Sequence, residues 1–205
     1  MERIGILAYG SLIKDPGKEI ENVIAKRIPD VETPFKVEFA RSSSTRGGAP
    51  ALVPVKEGGA YVKAMILVLK KNVSVTDTKN MLWRRETNKV CSGESYKPPA
   101  KLSPNSVCIK RIKQFQGIEI VLYTSIQPNI GKLTPQKLAK LAIDSVRKTK
   151  RNQNRDGISY LIDAKSNSIT TPIMHEYEEE ILHRTETKSL EEARGKLQSS
   201  HLKNK

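Results

Sequence analysis

The stretch Ile4-Gly5-Ile6-Leu7-Ala8-Tyr9-Gly10-Ser11-Leu12 decides the fold of the first part of the chain. Its apolar run ends abruptly at Tyr9-Gly10-Ser11, a pattern that predicts a buried strand leaving the core at its carboxyl end. A tight turn after such a strand exposes consecutive backbone N–H groups, which can cradle an anion or a developing oxyanion. A phosphate-binding loop is excluded, because no lysine follows Gly10, and Ser11 lacks the glycine pattern of a nucleophile elbow.

A helix is expected directly after this turn. Asp15 is a suitable N-cap and Pro16 suits the first helical position. Apolar residues then recur at helical spacing, and Pro29 ends the pattern; they are Ile20, Val23, Ile24 and Ile28. The turn over residues 9–12 is therefore predicted to join a buried strand to a helix.

The length of 205 residues and the hydrophobic content of 37% suit one domain, which we place at residues 1–198. Residues 199–205 are predicted to be a disordered basic tail. No apolar run is long enough for a membrane span, and the start lacks a signal-peptide pattern. Cys91 and Cys108 are isolated, which favours a reducing cytoplasm, and the three histidines lie near the C-terminus, so neither a metal nor a cofactor is expected.

The positive charge is concentrated in the middle of the chain. The net charge is +14, and residues 41–155 alone carry 23 basic and 6 acidic side chains. Such a segment favours anionic partners, either small carboxylates or nucleic-acid phosphates. A lysine-rich surface without a partner explains the charge equally well, and an aromatic content of 5% argues against a stacking platform for single strands.

Several further elements follow from local patterns. Alternating Phe35, Val37 and Phe39 predict a strand, and residues 60–69 form the most apolar strand of the chain. The polar loop 42–48 contains Arg46 and several hydroxyl groups, which can hold a carboxylate through charge-assisted hydrogen bonds. Gln116-Gly117 predicts a hairpin turn between two strands.

The helices are predicted from caps and apolar spacing. One helix is expected over about 75–85, capped by Ser74 or Thr76, with Glu86 at its end. Another begins at Thr134-Pro135. Asp156-Gly157 is interpreted as a turn into a strand at 158–162, followed by a short helix over about 175–183 and by a last helix with a capping box at Ser189 and Glu192.

Together, four features resemble the γ-glutamylcyclotransferase superfamily, including its AIG2-like members. They are the turn Tyr9-Gly10-Ser11-Leu12 after the first strand, the segment Ser44-Thr45-Arg46-Gly47-Gly48 through Leu52-Val53-Pro54, the strand 60–69, and the acidic Glu86 after the next helix. Tyr96 is similar to a tyrosine often found about ten residues later. The resemblance covers roughly residues 4–125.

The resemblance implies a small mixed α/β fold with a curved, barrel-like sheet and flanking short helices. It also implies an enzyme that releases 5-oxoproline from a γ-glutamyl substrate without a cofactor. The α-amine of the substrate is the nucleophile, so one carboxylate that moves a proton is sufficient. Glu86 is the implied catalytic residue, and the residues implied to bind substrate are Tyr9, Gly10, Ser11, Leu12, Arg46 and Tyr96.

Two other functions remain open at this point. A close ion pair between Glu86 and Arg84 or Arg85 would weaken the carboxylate as a base, as in a catalytically silent relative. Such a relative would serve as a basic module that binds small anions or nucleic acid. The third possibility is a different acyl-transfer or lyase reaction on γ-glutamyl amines.

Overall fold

The structure is a computed structural model that describes residues 2–149 and 155–200. Its chain divides into two compact units, Met1–Pro34 with Lys63–Gln127 and Phe35–Val62 with Pro128–Lys205. The single domain expected over residues 1–198 stays a prediction, since compact units of this size also occur within one domain.

The first unit combines a five-stranded sheet with three helices. In chain order its first elements are β1 (Ile4–Ala8), α1 (Ser11–Lys14), α2 (Lys18–Glu21) and β2 (Ile24–Glu32). The chain then enters the second unit. The second unit's first segment holds β3 (Val37–Ser43), a 3₁₀ turn (Ser44–Arg46) and β4 (Ala49–Pro54). The first unit then continues with β5 (Lys63–Leu69), α3 (Val75–Glu86), β6 (Val107–Phe115) and β7 (Ile118–Ile126).

The sheet of the first unit has the order β2-β5-β1-β7-β6, with β1 parallel to β7 and the other pairs antiparallel. All five residues of β1 are buried, because this strand is paired on both sides. Gly5 is required there, since a Cβ atom would lie 2.7 Å from the Ile66 side chain. Among the described strands the sheet is open, with β2 and β6 at its edges. The mixed α+β class is confirmed.

The helix predicted between Pro16 and Pro29 is wrong for most of its length. Helix α2 ends at Glu21, and Ile24–Glu32 forms β2 instead. The β-branched residues of this segment suit a strand as well as a helix face, and antiparallel pairing with β5 satisfies their backbone. Pro29 is tolerated because β2 is an edge strand, and the register shifts between Ile28 and Val31.

The hairpin and the long helix of the first unit confirm the local predictions. Gln116 and Gly117 both have positive φ angles, 51° and 72°, between β6 and β7, as a two-residue hairpin turn requires. Helix α3 begins after Ser74, whose hydroxyl accepts the Asp77 N–H at 3.0 Å in a capping box. Its buried face packs on the sheet side that also holds Leu12.

The second unit joins a two-stranded hairpin to four helices. Strands β3 and β4 pair antiparallel, and Pro128–Lys205 supplies α4 (Pro135–Lys148), α5 (Gly157–Ser166), α6 (Met174–Thr185) and α7 (Leu190–Ser200). The predicted start of α4 is confirmed, because Thr134 accepts the Lys137 N–H and Pro135 takes the first helical position. The helices predicted near 175–183 and after Ser189 are confirmed as α6 and α7.

The strand predicted at residues 158–162 is wrong, since this segment belongs to α5. Asp156 caps the helix by accepting the Ser159 N–H at 2.8 Å. Gly157 lies so close to α4 that a Cβ atom would be 2.8 Å from the Ala142 Cα atom. Residues 157–161 are all buried, so the segment has no polar face from which a helical period could be read.

Two further predictions concern the end of the chain and the membrane. Of the tail predicted at residues 199–205, Ser199 and Ser200 complete α7, and residues 201–205 lie outside the described residues. Within residues 2–149 and 155–200, none of the helices has both the length and the apolar character needed to cross a bilayer.

Candidate functional site

The turn after β1 has an unusual backbone that only glycine adopts readily. Gly10 has φ 60° and ψ −135°, and α1 begins at the next residue. The Leu12 side chain is buried in the core of the first unit, so the turn is anchored from below. The half-buried Tyr9 donates its hydroxyl proton to the Thr124 carbonyl at 2.7 Å. These contacts fix the turn against β7.

Glu86 is the last residue of α3 and only 17% of its side chain is exposed. Its Oε1 atom accepts a hydrogen bond from Nη1 of Arg85 at 2.8 Å. The helix ends at this point, because Thr87 caps it and donates its hydroxyl proton to the Trp83 carbonyl. The carboxylate is therefore held at a helix end by the side chain that precedes it.

Arg85 joins this carboxylate to the turn after β1. Its Nε and Nη2 atoms donate to the Asp15 carbonyl at 3.0 and 2.7 Å, and Nη2 also donates to the Ser11 hydroxyl at 3.2 Å. One guanidinium thus contacts both Ser11 and Glu86 with 12% of its side chain exposed. The structure brings the predicted catalytic carboxylate and the predicted binding turn into one cluster.

Arg84 makes a separate pair that is buried to a similar extent. It donates from Nε and Nη2 to the Glu19 carboxylate, at distances of 2.6–3.1 Å, and from Nη1 to the Glu94 carbonyl at 2.6 Å. Glu19 also accepts the Cys91 N–H at 2.9 Å. The hydrogen bonds from Arg84 lower the pKa of Glu19, and Glu19 raises the pKa of Arg84. This pair ties α2 and the segment after α3 to the end of α3.

Tyr96 ties the segment after α3 to the sheet. Its backbone N–H donates to the Asn80 side chain at 2.8 Å, and its hydroxyl accepts the Ile109 N–H at 3.2 Å. It belongs to the same unit as Glu86 and the turn. Both Tyr9 and Tyr96 use their hydroxyl groups in contacts to strands, and their roles toward a substrate stay predictions.

Arg46 lies in the second unit, in the 3₁₀ turn between β3 and β4. Its guanidinium carbon is 4.9 Å from the centre of the Tyr160 ring, within the range of a cation–π contact. Gly47 follows with φ 65°. A role for Arg46 toward the substrate of the first unit stays a prediction.

Sequence reasoning missed two carboxylates that the fold makes important. Glu19 carries no local signal, because its partner Arg84 is 65 residues away. Glu38 stands between two apolar residues of a strand, and it is only 4% exposed. Burial raises its pKa, and its Oε1 atom accepts the Phe39 N–H at 2.9 Å. Both neighbours in β3 are buried too, so alternation does not reveal its position.

Neither metal binding nor a known relative adds to this picture. In the part of the chain that the structure describes, no group of three or more histidine, cysteine, aspartate or glutamate side chains is placed to hold a metal ion. Comparison of the chain with models of known protein families and with curated proteins found no match.

Proposed function

We propose that this chain is a γ-glutamyl cyclotransferase-type enzyme that releases 5-oxoproline from a γ-glutamyl amide or peptide. The observation that carries the proposal is the contact of one guanidinium, that of Arg85, with both Glu86 and Ser11. Ser11 and Glu86, two motif residues of the resemblance that lie far apart along the chain, therefore contact the same side chain. The barrel-like sheet of that superfamily rests on the resemblance alone.

The proposed reaction needs no protein nucleophile. The α-amine nitrogen of the substrate attacks its own γ-carbonyl carbon, a five-membered ring forms, and the bond to the leaving amine breaks. Glu86 takes the proton that the α-amine loses and returns it to the leaving nitrogen, so the carboxylate is regenerated. The turn at Gly10, Ser11 and Leu12 offers backbone N–H groups to the substrate.

Holding the substrate in a folded conformer supplies another part of the rate. An intramolecular attack whose atoms are already in position avoids much of the entropic cost of the reaction. A turn that is anchored by Leu12 in the core and by Tyr9 on β7 is rigid enough to hold such a conformer. The half-buried setting of Glu86 and Arg85 strengthens their electrostatic effect relative to water.

A catalytically silent protein that binds anions is the second candidate. Two observations favour it. Arg85 pairs with Glu86 at 2.8 Å, the contact that is expected in a silent relative. In the second unit, a cavity of about 430 Å³ is lined by four cations, Lys140, Arg147, Arg184 and Lys196, and by one anion, Asp144. Asp144 pairs with Lys140 at 2.6 Å, and Glu180 pairs with Arg184 at 2.6 Å. These ion pairs reduce the excess charge, and the cyclotransferase is therefore preferred.

The proposal is tested by a screen of γ-glutamyl peptides, amino acids and amines for release of 5-oxoproline. Glu86→Gln keeps the shape of the side chain but accepts no proton at neutral pH, so we expect turnover to fall at least about 100-fold. Wild-type activity should rise with pH as the substrate ammonium loses its proton. Melting temperatures of both proteins separate loss of catalysis from loss of folding.

Glu32→Gln is the matched control, since Glu32 is an exposed carboxylate in β2 of the same unit. It should keep wild-type turnover. Equal turnover of wild type and Glu86→Gln would remove the proposed role of Glu86. Absence of 5-oxoproline with every compound would reject the cyclotransferase and leave the anion-binding candidate.

A further inference from the structure

The guanidinium of Arg85 has two distinct sides in this structure. Its Nε and Nη2 atoms both donate to the Asp15 carbonyl, which anchors one edge of the group to the backbone. The other end, formed by Nη1 and Nη2, contacts the side chains of Glu86 and Ser11. Two N–H groups at one end of a guanidinium match the two oxygens of a carboxylate.

The contact with Glu86 conflicts with catalysis by that residue. The Oε1 atom of Glu86 already accepts a hydrogen bond from Nη1 of Arg85, so this oxygen is not open to the ammonium group of a substrate. A general base must accept a proton during the reaction. The pair between Arg85 and Glu86 therefore has to loosen when a substrate binds.

We propose that Arg85 binds the α-carboxylate of the substrate at this end and releases Glu86 as it does so. The inference rests on the proposed cyclotransferase function and deepens it. The incoming carboxylate replaces the Glu86 carboxylate and the Ser11 hydroxyl, while the anchor to Asp15 stays in place. Substrates must then carry a free carboxylate next to the attacking amine, and Glu86 becomes a competent base only when such a group is bound.

Arg84 is unsuited to this role although it is the neighbouring residue. Its guanidinium already binds both oxygens of Glu19 and the Glu94 carbonyl. Glu19 is held in addition by the Cys91 N–H at 2.9 Å, so a substrate carboxylate would have to displace a carboxylate that has a second anchor. Arg85 is therefore the specificity-determining cation of the pair.

The test compares two substrates that differ only in the α-carboxylate. A γ-glutamyl amide cyclises to 5-oxoproline, and the matching 4-aminobutyryl amide cyclises to 2-pyrrolidinone with the same leaving amine. Wild type should prefer the γ-glutamyl amide in kcat/KM by about 10- to 100-fold or more, the range of a charge-assisted contact. Wild type that processes both amides equally would overturn the inference without any variant.

Arg85→Gln should abolish this preference in a specific manner. The kcat/KM for the γ-glutamyl amide should fall about 10- to 100-fold, while that for the 4-aminobutyryl amide should stay equal or rise because Glu86 is no longer paired. A purely structural role would lower both values together and would contradict the inference. Arg85→Lys keeps the charge without the planar fork, and should restore part of the preference.

Arg27→Gln is the matched control, since Arg27 is an exposed arginine of the same unit that pairs with Glu21. It should leave the substrate preference unchanged. If wild type releases 5-oxoproline and Arg85→Gln retains the preference, the role of Arg85 is wrong and the cyclotransferase stands. If wild type acts on neither amide nor any other γ-glutamyl compound, both proposals are rejected.

Discussion

Buried charges have different surroundings at the end of α3 in the first unit and in strand β3 of the second unit. At the end of α3, Arg84 meets the Glu19 carboxylate directly, and each group stabilises the charged form of the other. In β3, Glu38 is almost fully buried, and burial raises its pKa. Arg46, which follows this strand in the 3₁₀ turn, lies over the ring of Tyr160.

This difference separates charges that stabilise the fold from charges that oppose it. A buried ion pair has a small net effect on the free energy of unfolding when both partners are present. Removing one partner destabilises the fold, because the other charge stays buried without a partner. A buried carboxylate whose pKa is raised by burial is costly in its charged form. Removing a charge should therefore have opposite effects on stability in the two regions.

The largest effect on stability is expected for Arg84→Met. The variant leaves Glu19 as a buried carboxylate without its guanidinium partner, a change that costs about 3–5 kcal/mol in fully buried pairs. Because 19% of the Glu19 side chain is exposed, we expect a loss of about 2–3 kcal/mol. Urea unfolding measures it.

Arg27→Met is the control for this prediction, because its pair with Glu21 is exposed on both sides. A surface pair contributes about 0–1 kcal/mol, so this variant should unfold close to wild type. If both variants were equally stable, the Arg84 pair would not stabilise the fold and the contrast with β3 would disappear.

Glu38→Gln should have a smaller effect of the opposite sign. Glu38 has a raised pKa in the folded protein, so the folded state binds more protons than the unfolded state above the ordinary carboxyl range near pH 4. The stabilising contribution of the Glu38 carboxyl is therefore fully present below the ordinary carboxyl range, and it is lost as the pH rises through the pKa of the folded state. Glutamine removes this loss, and the melting temperature at pH 7 should rise by about 2–4 °C.

The pH dependence of this difference is the informative measurement. The gap between Glu38→Gln and wild type should narrow as the pH is lowered toward 4, where both side chains are neutral in the folded state. Glu57→Gln changes an exposed carboxylate of the same unit and should show no comparable gain at pH 7. A lower melting temperature for Glu38→Gln at pH 7 would contradict the prediction, because it would mean that hydrogen bonds to the charged carboxylate outweigh the cost of burying it.

The smallest effect is expected for Arg46→Ala. If Arg46 attracts an anionic substrate, KM should rise about 2- to 5-fold, the size of a partly exposed charge contact, and the salt dependence of kcat/KM should weaken. Lys137→Ala removes an exposed cation of α4 and serves as the control. Unchanged KM and unchanged salt dependence would limit Arg46 to its contact with Tyr160.

Local signals predicted the parts of the fold that local interactions determine. The capped helix α3 and the hairpin at Gln116-Gly117 depend on residues that are close in sequence. The strand before Gly10 pairs with distant strands, but its own apolar run and the glycine that follows were sufficient to predict it. The two wrong elements depend on distant partners: β2 forms because β5 is available for pairing, and the first five residues of α5 are all buried. Hydrophobic periodicity fails in both settings.

Part of the candidate site was predicted from the sequence. Glu86 and the turn at residues 9–12 were found through the resemblance, and the structure joins them through Arg85. The anchor of Arg85 on the Asp15 carbonyl could not be predicted, because a backbone carbonyl carries no sequence signal. The burial of Glu38 was equally hidden, since its contacts include Thr171 and Ile173, which come much later in the chain.

The discontinuity of the second unit has a consequence for synthesis of the chain. Strand β4 ends at Pro54, but the helices that complete its unit begin at Pro135, about 80 residues later, which is several seconds at about 5–20 residues per second. During this interval the β3–β4 hairpin has no helices to cover it. Pro50 and Pro54 lack an N–H group, so β4 is a poor template for a further strand while the chain is still being made.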